Sequence, residues 1–155
     1  MKETVVKALV DGLYGKNTHL SPKKVVEGLT PTNARIKPNN GNHSCWDLIH
    51  HVKIWQKAIL KTIRGEEVNW NDISKNHNWP NATYLSDDQN FINLVKMFEE
   101  GLLEAEELIK TTDLYQSMPT WDGAPVIQAV IVLLQHNSYH YGQIVAVRKS
   151  LGIWS

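Results

Sequence analysis

The sequence has little of several features that mark specialised classes of protein. It contains a single cysteine, Cys45, which excludes an internal disulfide framework and fits a reducing compartment. It has no excess charge, with sixteen Lys and Arg against sixteen Asp and Glu. A dedicated nucleic-acid binder or a polybasic membrane-surface protein needs a basic excess, so neither class of partner is expected.

Long apolar runs are also missing. No stretch approaches the roughly 18–20 residues of a membrane-spanning helix, and Asp11 interrupts the amino-terminal segment before it could form a signal peptide. The sequence has no glycine-rich phosphate loop, no GxSxG motif and no zinc-finger cysteine spacing. These absences favour a cytoplasmic protein, and a length of 155 residues favours a single domain over residues 1–155.

What is present is helical periodicity in four segments, with no segment of comparable length alternating as a strand does. The segments are residues 2–15, 44–64, 86–110 and 125–152. Ser44 with Asp47, and Ser86 with Gln89, have the spacing of capping boxes. Ser21 before Pro22 predicts a further short helix. The pattern predicts an all-α fold, a four-helix bundle with a short extra helix and long connecting loops.

The connection from Gly65 to Leu85 is long for a compact bundle and rich in Asn and Trp. Connections of this length often cover a functional site. The alternative is that Trp70 and Trp79 simply cap one end of the core.

Seven histidines stand out in the composition, and two of them are adjacent in the second segment. On a helical wheel His51 lies at the edge of the apolar stripe, whereas His50 lies on the far side beside three lysines. The stripe consists of Leu48, Val52, Trp55 and Ile59. We therefore expect His51 to face the core and His50 to face water.

The fourth segment places His136 and His140 on one face, about one helical turn apart. Seven randomly placed histidines would give such a pair roughly a quarter of the time, so the spacing alone is weak evidence. Its orientation is more informative, because the same face holds apolar residues and Gln143. Those apolar residues are Ala129, Val132, Leu133 and Val147.

Burying three imidazoles without partners would cost a few kcal/mol each, and a shared divalent cation would remove that cost. His51, His136 and His140 are thus candidate metal ligands, and three protein ligands leave an open position for water or substrate. The alternative is that each histidine is a hydrogen-bonded core residue. If both helices began level, His51 would lie roughly 6–14 Å nearer its helix start than the other two, so the helices must be staggered.

Other candidates carry less weight. Cys45 could be a thiolate ligand or a nucleophile, but a lone cysteine in a first helical turn is typically a packing residue. His19, His43 and His77 fall in predicted loops and are expected to be solvated. Asp87 and Asp88 are expected to serve the helix dipole.

Two stretches, S-C-W-D-L-I-H-H-V-K-I-W (44–55) and Q-H-N-S-Y-H-Y-G-Q-I (135–144), resemble the signature motifs of the DinB/YfiT-like family of metalloenzymes. The resemblance implies a four-helix bundle, often a homodimer, in which three histidines bind nickel or zinc. The family's first histidine follows a tryptophan by five positions, which corresponds to His51. Its last two correspond to His136 and His140. The additional His50 is outside the family pattern and leaves a swapped ligand open.

The resemblance implies a metal-dependent enzyme that acts on a small molecule. It would be an S-transferase using a low-molecular-weight thiol such as bacillithiol or mycothiol, or a related hydrolase. A metal-bound thiol or water would be the nucleophile, and no further catalytic residue is assigned. The alternatives are a non-catalytic helical binding module and a metal or stress sensor. Apolar residues opposite the histidines of the fourth segment, Ile127, Leu134 and Val145, favour a homodimer.

Overall fold

The computed structural model describes residues 2–16, 18–39 and 41–154. Its helices in chain order are α1 (Lys2–Leu13), α2 (Pro22–Val26), α3 (Pro31–Ala34), α4 (Cys45–Ile63), α5 (Trp70–Asp72), α6 (Ala82–Leu85), α7 (Asp88–Thr111) and α8 (Val126–Ser150). A π-helical turn at Ile73–His77 and a 3-10 turn at Pro119–Trp121 lie in the connections. No strand forms within these ranges, where Ser117 and Pro125 make an isolated bridge. The predicted all-α fold is confirmed.

Cross-helix contacts show that α4 and α8 are antiparallel. At the start of α4, the Cys45 sulfur lies 4.0 Å from the carbonyl oxygen of Ile144, near the end of α8. Further along α4, Gln56 accepts a hydrogen bond from Asn137, which comes earlier in α8. Helices α4 and α8, which share the most extensive contact in the bundle, therefore run in opposite directions.

By the same reasoning α4 and α7 are parallel. Near the start of both helices, Trp46 of α4 packs on Phe91 of α7. Further along both helices, Gln56 of α4 donates to the carbonyl of Phe98 of α7. A 19-residue helix is about 28 Å long, so the chain leaving α4 must travel back along the bundle before α7 can begin. This return explains the long connection from residue 64 to residue 87.

The core forms between α4, α7 and α8, with α1 packed on its outer side. Its largest fully buried apolar side chains are Trp46, Phe98, Ile49, Ile59, Leu60, Leu94, Ile109, Leu114, Leu133 and Ile144. Each such side chain contributes about 1.5–3 kcal/mol on burial, which is the main driving force for the fold. No helix in the described part of the chain is long and apolar enough to cross a membrane.

The predicted helix starts are partly confirmed. Ser44 and Asp47 form the expected capping box, with hydrogen bonds of 3.2 and 2.9 Å, and Ser21 caps α2. The box predicted for Ser86 and Gln89 is wrong, because Asp87 is the N-cap of α7. The Ser86 hydroxyl instead donates to the carbonyl of Thr83, closing the short helix α6 just before it.

The face of α8 opposite its histidines is covered within the same chain. Ile127, Leu134 and Val145 are half-buried and pack against the core. Helix α1 crosses this face so closely that a Cβ on Gly12 would lie 3.3 Å from Leu134. Part of this face is therefore covered by the same chain, and the homodimer stays a prediction.

Arg148 ties the carboxyl end of α8 to the α2 region. Its side chain is only 1% exposed and donates to the carbonyls of Val25 and Glu27 at 2.7 Å each. Longer bonds reach the carbonyls of Lys24 and Ile153. A buried guanidinium is tolerated here because it saturates the carbonyls that end α2.

We expect Arg148→Met to lower the free energy of unfolding by about 2–4 kcal/mol, since it leaves several buried carbonyls without a donor. Urea denaturation measures the change. The neighbouring Lys149→Met is the matched control, because Lys149 is exposed and its loss should change stability by less than about 0.5 kcal/mol. Equal effects of the two substitutions would contradict this role.

Candidate metal centre

The antiparallel packing of α4 and α8 brings the predicted histidines level. The stagger was expected for two helices whose starts lie level. Here the start of α4 faces the end of α8, so the histidines lie at the same height without it. His51 of α4 lies opposite His136 and His140 of α8, with ring centroids 5.0 and 4.4 Å away. The rings of His136 and His140 are 4.5 Å apart. The structure thus brings together all three residues chosen from the sequence.

The three rings converge through their nitrogens. The Nε2 atoms of His51 and His136 are 3.1 Å apart, and one nitrogen from each of the three rings lies within 4.8 Å of the others. His51 and His140 are each 8% exposed, and His136 is half-buried. The cluster is therefore a compact, largely buried set of nitrogen donors between two helices.

Burial keeps these rings neutral. It lowers the pKa of His51 to about 4, with His140 and His136 adding to the effect, and lowers the pKa of His136 to about 4, with His140 adding. Burial also lowers the pKa of His140, against the opposing effect of the hydrogen bond that this ring donates to Gln143. Neutral imidazole is the form that binds a metal ion, so the site needs little proton release at neutral pH.

Gln143 orients one ring of the cluster. The Nδ1 of His140 donates to the Gln143 side-chain oxygen at 2.6 Å, which leaves Nε2 as the free nitrogen of that ring. The Gln143 amide donates in turn to the Tyr139 hydroxyl at 3.3 Å. Gln143 therefore contacts the His140 ring by a hydrogen bond, and Tyr139 holds Gln143 in turn.

His50 does not face water as predicted. It is half-buried, and its Nε2 donates to the carbonyl of His77 at 3.2 Å while its ring meets Tyr84 edge-on. The expectation was wrong because the connection from residue 64 to residue 87 returns over this side of α4. His50 thus holds the π-helical turn in place and is engaged away from the cluster.

The same connection covers the histidine cluster. Trp79 stacks on His51 with ring centroids 4.7 Å apart, and the Nε1 of Trp55 donates to the Asn78 side chain at 2.7 Å. Trp79 therefore lies over the candidate site instead of merely capping the core. The adjoining turn at residues 73–77 is π-helical, a conformation that is frequent at functional sites.

Sequence reasoning missed His43. It was expected to be solvated, but it is half-buried and stacks on Trp79 with ring centroids 3.7 Å apart. His43 and Trp79 lie in separate loops, and no periodicity links loop residues, so the sequence offered no indication of this contact. His19 and His77 are exposed, as expected.

Cys45 is a packing residue. It is fully buried, and burial raises the pKa of its thiol to about 11. A thiol with such a pKa is protonated at neutral pH and is a poor nucleophile or ligand.

The donor set suits a divalent transition metal. Two ligands 2.0–2.1 Å from a tetrahedral ion lie about 3.3 Å apart, close to the Nε2 separation of His51 and His136. Three neutral imidazoles are suitable ligands for Zn, Ni, Cu or Fe.

A family model described as mycothiol S-transferase matches residues 16–152, which include α4, α7, α8 and the whole histidine cluster. The chain belongs to the mycothiol S-transferase family. This agrees with the DinB/YfiT-like resemblance of the two histidine motifs. No curated protein and no solved structure matches the chain.

The low pKa values of His51 and His136 predict that the metal-free protein loses stability on acidification. Between pH 6.5 and 4 the unfolded state binds more protons than the folded state, so the free energy of unfolding falls as the pH falls. Urea denaturation in the presence of a chelator, repeated from pH 7 to pH 4, measures this dependence.

His136→Gln should make the pH dependence shallower, because one buried imidazole is gone. The control is His77→Gln, which removes an exposed histidine. If both variants keep the wild-type slope, the buried rings are not its source.

Proposed function

We propose that this protein is a cytoplasmic, divalent-metal-dependent enzyme that joins a low-molecular-weight thiol, through its sulfur, to an electrophilic small molecule. The observation that carries the proposal is the convergence of His51, His136 and His140 beneath the Trp79 ring. Three protein ligands leave a coordination position for an exogenous group, as catalytic sites do. Membership of the mycothiol S-transferase family supports the thiol as that group.

In this proposal His51, His136 and His140 hold the ion, which is Zn or Ni. A bound divalent ion would lower the pKa of a thiol or polarise an electrophile at neutral pH. Gln143 holds the His140 ring in the tautomer that presents Nε2. Trp79 and the apolar walls of α4 and α8 limit the access of water, which favours transfer over hydrolysis.

The transfer itself requires a simple exchange of bonds. The thiolate sulfur attacks an electrophilic carbon, a carbon–sulfur bond forms, and the leaving group departs with the electron pair of its former bond. The proton of the thiol passes to solvent. No residue of the chain is assigned as a general base in this scheme.

The metal site predicts that purified wild-type protein binds about one divalent ion per chain, and that His51→Ala, His136→Ala and His140→Ala each lose it. Elemental analysis measures the content. Because an ion that binds only the folded state stabilises it, Zn or Ni should also raise the melting temperature of the wild type.

His50→Ala is the matched control, since His50 adjoins His51 but bonds the His77 carbonyl. It should keep the ion. Loss of metal from His50→Ala together with retention by His51→Ala would reassign the ligand. Stoichiometric metal in the His136→Ala and His140→Ala variants would refute the site.

The transfer predicts that the metal-loaded protein conjugates 1-chloro-2,4-dinitrobenzene with mycothiol or bacillithiol, and that His136→Ala falls to the uncatalysed rate. Formation of the thioether is followed by absorbance. Cleavage of esters or amides without any thiol would instead indicate a hydrolase. Bound metal with neither activity would indicate a non-catalytic metal-binding or stress-response module.

The family resemblance also leads us to propose a homodimer. Light scattering across a range of protein concentrations measures the mass, and a monomer at every concentration would refute this part of the proposal.

A further inference from the structure

We propose that a tryptophan-lined pocket beside the histidine cluster binds a neutral aromatic group of the electrophilic co-substrate. The pocket, called here the tryptophan pocket, has a volume of about 420 Å³. That is within the range of small-molecule sites. The lining residues on which the proposal depends are Trp55, Trp70, Thr120, Trp121, Asp122 and Val132.

The tryptophan pocket and the histidine cluster occupy successive turns of one groove. Trp55 is one turn beyond His51 on α4, and Val132 is one turn before His136 on α8. Because α4 and α8 are antiparallel, both steps lead in the same direction, by about 6 Å. The Trp55 ring lies 6.1 Å from the rings of both His51 and His136 and so borders pocket and cluster alike. A ligand with its reactive atom at the cluster can therefore extend into the pocket.

The arrangement of the indole rings favours a flat apolar ligand. The rings of Trp55 and Trp70 are stacked with centroids 6.0 Å apart, and those of Trp70 and Trp121 are 5.8 Å apart. An aromatic cage needs about 7 Å between facing rings to admit a group at van der Waals distance from both. These rings contact one another instead, so they form a continuous wall against which another ring can pack.

The charge of the tryptophan pocket further limits which ligands it can bind. Asp122 is among the lining residues, and its negative charge disfavours an anionic ligand. The lining therefore favours a neutral aromatic group.

The use of this pocket in catalysis rests on the proposed function, whereas binding of the aromatic group does not. Binding is therefore measured on metal-free protein without thiol, by calorimetric titration with 4-phenyl-2-butanone. The anion 3-phenylpropionate and the cation 2-phenylethyltrimethylammonium are comparison probes of similar size. The neutral ketone should bind at least about tenfold more tightly than the anion. Tighter binding of the cation, or no binding of the ketone, would overturn the proposal.

Variants locate the bound probe. Trp121→Ala should weaken binding of the ketone by about tenfold or more, because it removes part of the indole wall. Val132→Phe should also weaken it, since the larger side chain fills the pocket from an exposed position that folding tolerates. Trp154→Ala is the matched control, because the Trp154 ring packs on Arg148. Equal losses in Trp121→Ala and Trp154→Ala would overturn the assignment.

Turnover separates this proposal from the proposed function. In the metal-loaded enzyme, Val132→Phe should raise KM for an aryl electrophile, benzyl chloride, and leave KM for methyl iodide unchanged. An unchanged ratio of the two KM values, in an enzyme that does turn over, would refute the pocket while leaving the transferase intact. Binding of the ketone to a protein that holds no metal and transfers no thiol would refute the transferase alone.

Discussion

The structure depends on one buried polar contact that fixes three helices in register. Gln56 of α4, 1% exposed, donates to the carbonyl of Phe98 in α7 and accepts from Asn137 of α8. In the sequence Gln56 directly follows Trp55, and Asn137 directly follows His136. A slip of one residue along either helix would rotate its side chains by about 100° and turn a histidine ring out of the cluster. Gly101 makes the contact possible, because a Cβ there would lie 2.1 Å from the Gln56 amide nitrogen.

The direction of the helices then determines what covers the site. Since α4 and α7 are parallel, the chain between them has to return along the bundle, and it does so across the groove between α4 and α8. His50 and Trp55 hold this return segment through hydrogen bonds to His77 and Asn78. Trp79 is thereby set on the His51 ring. The cover is thus a consequence of topology, and it is held by side chains from α4, the helix that carries His51.

Much of this could be predicted from the sequence, and the exceptions have a common cause. Helix periodicity located the four long helices, and the apolar stripe of α4 singled out His51 from its neighbour His50. Both inferences use contacts within one helix, where spacing fixes geometry. The environments of His50 and His43 were predicted wrongly because they depend on how loops pack on helices. The cap of α7 was missed for a similar reason, since Ser86 belongs to the turn that precedes it.

The histidine cluster reduces the stability of the metal-free fold, and this links its chemistry to its position. Two ring nitrogens, the Nδ1 atoms of His51 and His136, are buried without a partner among the described residues. Such groups are tolerated only where surrounding packing is strong enough to hold them. The groove between α4 and α8 meets that condition, because the large apolar core and the Gln56 contact lie directly behind it. Binding of an ion by the Nε2 atoms would stabilise the folded state by a separate contribution, since it leaves these two Nδ1 atoms without a partner. A well-packed groove that holds three neutral imidazoles together is therefore suited to bind a metal ion.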